Sequence, residues 1–266
     1  MEDIRDIIFK SIINKKFKAV ITAERDGCLS GVEAAKEVAL GIDVAMHLFY
    51  NEGDLIKKGD KITEVIGTAK QLAIAEEKLI GCLAKYSGIA SAANRAVSLA
   101  DNKVRVVSGS WKKMPGEIKD GIRKAIISGG ASFRISTKPM VYLDKNYICM
   151  LGSIPNALAS VNELTELSKV IQIKGKQCTI EEETKQALEN GCNILMVDTG
   201  ELNDLERCIK VVEAMGRRNE VEIAFAGGVK INEISTISKY GMDVLCIGKE
   251  IVDAPLLDMK FDVEIL

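Results

Sequence analysis

Two apolar runs late in the chain break off into glycine, AFAGGVKINEI at 224–234 and VLCIGKEI at 244–251. Gly227 and Gly228 in the first, and Gly248 with Lys249 in the second, place bare backbone amides between a strand and a helix expected near Asn232, where an anion can be received. The repeat on successive strands reads as a phosphate-binding cup; the same glycines also suit tight αβ turns. Asp198 ends the run NILMVD. A carboxylate there can hold Mg²⁺, stabilise a developing cation, or cap the next helix. In SGSWKKMPGEIK, Trp111 is followed by Lys112 and Lys113 and then by Pro115. Two ammonium groups beside an aromatic ring suit a polyanion, and equally a solvated loop. Arg134, in ASFRI, is expected within a strand, where a buried guanidinium requires an anionic partner.

Other chemistries are excluded by residue type. His47 is the only histidine and lies in the apolar context VAMHLFY, so a histidine-dependent triad or multi-histidine metal site has no basis. Seven cysteines occur without a Cys-x-x-Cys pair, mostly inside apolar runs, and read as thiols of a reducing cytosol.

These residues must be positioned by strands. From residue 104 onward, apolar stretches at 104–110, 131–135, 146–151, 170–175, 193–198, 222–228 and 244–249 alternate with amphipathic segments. Strands apolar nearly throughout are buried on both faces, which calls for a parallel sheet covered by helices. An α/β barrel of the (β/α)₈ type, short of one unit, is the expected architecture, with a doubly wound open sheet as the alternative; both put chemistry at the carboxyl ends of strands. Upstream, KFKAVITAE, a helix over 32–40 and the glycine turns of NEGDLIKKGDKITEVIGTA predict a small hammerhead-like α/β domain. A long helix from about 70 to 99, interrupted around Ser87-Gly88, links the two. The expected division is an N-terminal domain over 1–102 and a barrel over 103–266, with a C-terminal segment able to return to the first domain.

Net charge is −2, from 36 basic and 38 acidic residues, which provides no overall attraction to nucleic acid or an anionic membrane. The acidic, amphipathic start MEDIRDIIFKSI is unlike a signal peptide, and no apolar stretch approaches ~18 residues. A cytoplasmic protein without a membrane span is the expectation.

The blocks AEEKLIGCLAKYSGIASAANRAV at 75–97, KKMPGEIKDGIRKAIISGGASFR at 112–134, NILMVDTG, AFAGGVKINEI and YGMDVLCIGKEIVDAPLLD together resemble the quinolinate phosphoribosyltransferase family. The resemblance covers nearly the whole chain. It implies a type II phosphoribosyltransferase fold: an N-terminal α/β hammerhead-like domain and a TIM-like barrel. It implies transfer of phosphoribosyl from phosphoribosyl pyrophosphate to the ring nitrogen of quinolinate with loss of carbon dioxide, a Mg²⁺ cofactor and a homodimer. Carried over by position, Lys112, Arg134 and Asp198 become catalytic residues, with Asp198 also the metal ligand. Gly227, Gly228, Gly248 and Lys249 become the phosphate site, and Trp111, Lys113, Lys145 and Gln177 contact substrate.

Several family cations are replaced. The arginine expected ten residues before Ser87 is Glu77, with Lys78 adjacent; Trp111 takes the place of an arginine; Asp144 takes that of a lysine, with Lys145 next to it, on the opposite face if the segment is a strand. Gln177, 21 residues before Asp198, stands at the position of a glutamate. The expected reading is a transferase with an altered heterocyclic acceptor. Two alternatives stay open at this level: an enzyme acting on another phosphorylated or nucleotide-like substrate, and a non-catalytic nucleotide-binding paralogue.

Overall fold

The computed structural model of the chain describes residues 3–264. It divides into two compact units, one formed by residues through Arg95, Trp111–Gly130 and the segment from Ile251 onward, the other by Ala96–Ser110 and Ala131–Glu250. The division therefore does not follow a single cut near residue 102. Among the described residues no helix is long and apolar enough to cross a membrane.

In the first unit, four antiparallel strands run in the order Met259–Glu264, Lys16–Ala23, Lys61–Thr68 and Ala45–Leu48. Ala19, Ile21 and Ala23 alternate onto one face and join Ile62, Val65 and the helical Val32, Ala35 and Ala39 in one core. The helix Ala69–Ala100 closes that core with Leu72, Ala75, Leu79 and Leu83, spaced three or four residues apart on one stripe. It is continuous through Ser87-Gly88, so the expected interruption is absent. Gly88 serves close packing instead: a Cβ there would lie 2.1 Å from the carbonyl oxygen of Pro255. Glu52 caps the helix Val32–Gly41, accepting from the backbone N–H of Val32 at 2.9 Å and from Ser128 Oγ at 2.7 Å. The lone histidine, His47, is exposed on an edge strand and packs edge-on against Phe49.

The second unit is a six-stranded, all-parallel sheet in the order Arg105–Val107, Val244–Cys246, Glu222–Ala226, Ile194–Asp198, Ser168–Ile173 and Met140–Leu143. Among the described residues the ladder leaves its two edge strands unjoined. At the amino ends of the strands Arg105 donates to both oxygens of Glu222 at 2.9 and 3.0 Å and to the Ile135 carbonyl at 2.6 Å. This charged group sits at the opposite ends of the strands from the expected chemistry, where a stabilising role belongs.

Two expected strands are something else. ASFRI at 131–135 makes only an isolated parallel bridge, Val107 to Ser132. Ser132 Oγ donates to the Arg134 carbonyl at 2.8 Å and accepts from the Arg134 N–H at 3.3 Å, local bonds that compete with a ladder. Arg134 is consequently exposed rather than buried, its guanidinium 5.2 Å from the Phe133 ring. NYICML is a helix, Lys145–Leu151, capped by Asp144, whose carboxylate accepts from the N–H of Asn146 and Tyr147, and ended by Gly152 at φ 86°. A short apolar run does not distinguish strand from helix by period, and the flanking cap decided it. The strand itself is Met140–Leu143, just upstream.

Gly88→Ala forces a methyl into a backbone carbonyl and should lower stability by about 1–3 kcal/mol, read from denaturant unfolding. For the thiols, burial pushes Cys28 and Cys208 up to about 11 and Cys192 up to about 12. Titration of the folded protein with a thiol reagent near neutral pH should label exposed Cys149 first and leave those three unmodified until denaturant is added.

Candidate active site

At the carboxyl ends of the second unit's strands, the side-chain face of the sheet runs from apolar to polar. Ile194 and Met196 precede Asp198 on one strand, and Val170 precedes Gln172 on its neighbour. Each alternate residue points the same way, so the polar pair stands above an apolar floor. Gln172, only 7% exposed, donates from Nε2 to Asp198 Oδ2 at 2.6 Å, and its Oε1 accepts from the backbone N–H of Lys145 at 2.7 Å. Lys174 Nζ lies 3.6 Å from the same Asp198 oxygen. Both donor and acceptor of the Gln172 amide are thus engaged, and Asp198 is held by one neutral and one cationic group. In the floor, Met140, Tyr142 and Cys246 pack against this cluster of buried residues. Burial, then the Asp198 charge, drive the Tyr142 phenol well above its usual value, so it stays protonated.

A cavity of about 330 Å³ opens here, lined by Lys145, Asn146, Gln172, Lys174, Lys176 and Gln177 among others. Two of the residues selected from the sequence, Lys145 and Gln177, line it, and a third, Asp198, adjoins it through its contacts with Gln172 and Lys174. Lys145 is the first residue of a helix, so the expectation that a strand would turn it to the opposite face does not hold. Gln177 lines the cavity wall, but the group bonded to Asp198 is Gln172, 26 residues before it. Counting back 21 residues lands in a loop because the chain makes a longer excursion, 174–179, after the strand. Lys174 is one of the strand-end positions at which the sequence places chemistry, whereas Gln172 and Lys176 were missed; the signal available for Gln172 was a polar residue near the end of an otherwise apolar strand.

The glycine loops have a more structural origin than a cup alone. Gly227 at φ 122° crosses Gly200 at φ 81°, and a Cβ on Gly227 would lie 2.2 Å from the Gly200 nitrogen, so neither position accepts a side chain. Gly228, at φ 82°, would meet nothing within 4 Å. Gly248 packs on Ser110, whose Oγ would be 2.4 Å from an added Cβ, and exposed Lys249 opens the short helix Lys249–Val252. The helix expected near Asn232 is a 3₁₀ turn, Ile231–Glu233, running into one helical turn. Trp111, Lys112 and Lys113 belong to the first unit, in the 3₁₀ turn Ser110–Lys113, where the Arg123 guanidinium lies 4.6 Å from the Trp111 ring centre.

A resident Mg²⁺ does not fit at Asp198. Among the described residues no group of three His, Cys, Asp or Glu side chains could hold a metal ion, and the one carboxylate already has an amide and an ammonium group on the same oxygen. Mg²⁺ requires near-octahedral oxygen ligation, for which this donor set is short.

Residues 6–87 match the family described as quinolinate phosphoribosyl transferase, N-terminal domain, and residues 89–262 match the corresponding C-terminal domain. Among curated relatives, a probable nicotinate-nucleotide pyrophosphorylase (carboxylating) of Methanocaldococcus jannaschii is 27% identical over 97% of this chain and 91% of its own length. The human nicotinate-nucleotide pyrophosphorylase (carboxylating) is 24% identical over 91% of this chain and 81% of its own. In fold, the chain is similar to the nicotinate-nucleotide pyrophosphorylase from Francisella tularensis, with TM-score 0.84 and 20% identity over 97% of this chain and 90% of that one.

The Gln172 amide keeps the site at one carboxylate. In Gln172→Glu two carboxylates share a hydrogen-bond distance, so one of them should have its folded pKa raised above its unfolded value near 4. A group raised in this way loses its contribution as pH increases through the folded pKa. The variant's stability deficit against the parent chain should therefore grow by about 1–3 kcal/mol between pH 4 and pH 7.5, measured by chemical unfolding at each pH. A deficit that does not change with pH counts against this geometry.

Proposed function

Because the chain belongs to the quinolinate phosphoribosyltransferase family, we propose that it transfers phosphoribosyl from phosphoribosyl pyrophosphate to a nitrogen heterocycle less acidic than quinolinate, at the mouth marked by Asp198. The observation that carries the reading is the Asp198 carboxylate, fixed at a strand end by Gln172 and Lys174 above an apolar floor.

In such a transfer the bond from ribose C1 to the pyrophosphate oxygen breaks, and the electron pair leaves with pyrophosphate. C1 and the ring oxygen share the positive charge that develops, and the heterocycle's nitrogen lone pair then forms the new bond to C1. A carboxylate held rigid before reaction stabilises that charge without reorganising, which is where an enzyme gains most. Ammonium groups on the cavity wall serve the departing pyrophosphate. Mg²⁺ in this reading enters as the metal complex of the donor's pyrophosphate.

Support for a less acidic acceptor comes from the two acidic replacements. Glu77 pairs with Arg5 at 3.3 Å, and Asp144 caps a helix through the N–H groups of Asn146 and Tyr147. Both carboxylates have structural partners, and neither supplies the positive charge that a pyridine dicarboxylate requires. The homodimer implied by the family resemblance is part of the same proposal.

An assay containing Mg²⁺, phosphoribosyl pyrophosphate and a panel of quinolinate, nicotinate and neutral azoles, read by pyrophosphate release and mass spectrometry, tests it. Turnover should favour a monoacid or neutral base. Preference for quinolinate would overturn the altered acceptor, and absence of any new nucleotide would overturn the transferase reading. Asp198→Asn should lower kcat on the order of 10²–10³-fold.

A further inference from the structure

The loop after the Ser168–Ile173 strand is built around a buried acid. Glu183, 4% exposed on the helix Ile180–Glu189, accepts from four consecutive backbone N–H groups. Lys174 and Gly175 donate to its Oε2 at 2.8 Å each, and Lys176 and Gln177 to its Oε1 at 2.9 and 3.2 Å. Successive amides converging on one point form an anion-binding nest. Here the nest is already filled by the protein's own carboxylate, which leaves those amides no capacity for a ligand and fixes the loop's backbone. Thr179 reinforces the turn by accepting from the Glu182 N–H at 3.2 Å.

The fixed backbone delivers charge to the cavity wall. Lys145, Lys174 and Lys176 all line the 330 Å³ cavity, whose acids are Glu183 and the adjoining Asp198. Glu183 is consumed by the loop amides, and Asp198 offsets Lys174. Among the described residues no carboxylate lies within ion-pair distance of Lys145 or Lys176. A neighbouring cavity of about 490 Å³ shares Lys174 and Lys176, but its Arg207 is tied to Glu181 at 2.6 and 2.7 Å and to Asp204 at 3.2 Å. Lys176 borders both cavities, and the one on the Gln172 side adds Lys145 to it.

We infer that the 174–179 loop is a preorganised oxyanion-binding element: Lys174 and Lys176, with Lys145 on the same cavity, grip a pyrophosphate group, and Glu183 is the positioning residue that holds the loop. The identification of the anion with the donor's pyrophosphate rests on the transferase reading; the loop mechanism does not. Backbone donors are spent internally, so recognition falls to flexible ammonium groups whose stems start from fixed points. That division gives charge neutralisation without a rigid fork.

The test uses inorganic pyrophosphate as the probe, with binding followed by titration calorimetry and the loop by amide hydrogen exchange, on the full chain. The double variant Lys174→Ala, Lys176→Ala should weaken pyrophosphate binding by about tenfold or more while exchange at 174–177 stays at the parent rate. Glu183→Gln exchanges an acceptor-only group for one with a single acceptor oxygen; exchange at 174–177 should accelerate about tenfold or more, and pyrophosphate affinity should fall with it. In turnover, Glu183→Gln should raise the donor's KM more than it lowers kcat. Unchanged exchange in Glu183→Gln, or unchanged affinity in the lysine variant, overturns the inference. If Glu183→Gln does not fold, the lysine variant decides. Pyrophosphate binding that depends on the lysines in a protein with no transfer activity would sink the transferase reading and leave the loop assignment standing.

Discussion

A parallel sheet apolar on both faces can accept polar side chains only where its strands end. In the second unit this constraint sets everything that follows: Ile194, Met196, Val170, Ala224 and Val244 fill one face, and the first places at which a carboxylate or amide can be satisfied are Gln172 and Asp198. Arg105 and Glu222 meet the same constraint at the other ends of the strands, where they satisfy each other. One set of strand ends is closed by a mutual ion pair, and the other is left with an anchored carboxylate and an open wall.

What distinguishes the open set is that its polar groups are tied in sequence. The Lys145 N–H donates to the Gln172 side-chain Oε1, the Gln172 Nε2 donates to Asp198 Oδ2, and Lys174 Nζ reaches that same Asp198 oxygen. Buried amides and carboxylates gain specificity from full satisfaction and lose it if one link is left unpaired. The chain of contacts runs through three separate elements, so the geometry of Asp198 depends on the helix cap at Asp144 and on the loop behind Lys174. Glu183 extends the same logic by one more step, satisfying the loop's own backbone before any ligand arrives.

The first unit shows how acidic residues that disturb a cationic family pattern acquire other work. Glu77 pairs with Arg5 on an exposed surface, where such a pair contributes little stability. Glu52, absent from any sequence pattern, caps a helix and gathers the hydroxyls of Ser30 and Ser128. Gly88 allows a continuous helix to touch the Pro255 carbonyl, a contact that reads from sequence as a break.

By itself the sequence determined the parallel sheet, the small N-terminal sheet and the strand-end aspartate, because apolar period and glycine placement follow local rules that need no partner, while the family was legible only as a resemblance of whole blocks of sequence. Asp198 was legible as a strand-end carboxylate for the same reason; Lys145 and Gln177 were selected through the family resemblance, and the structure puts both on the cavity that Asp198 adjoins. Tertiary structure alone decided that Asp198 is held by Gln172, that Arg134 is exposed, that NYICML is a helix and that Gly227 is a backbone crossing with Gly200. Each of those depends on contacts between segments far apart in the chain, or on a cap overriding an ambiguous apolar run. Residue counting cannot see such contacts: the excursion at 174–179 displaces the count by one loop, and only the sheet register shows which polar side chain lies next to the carboxylate.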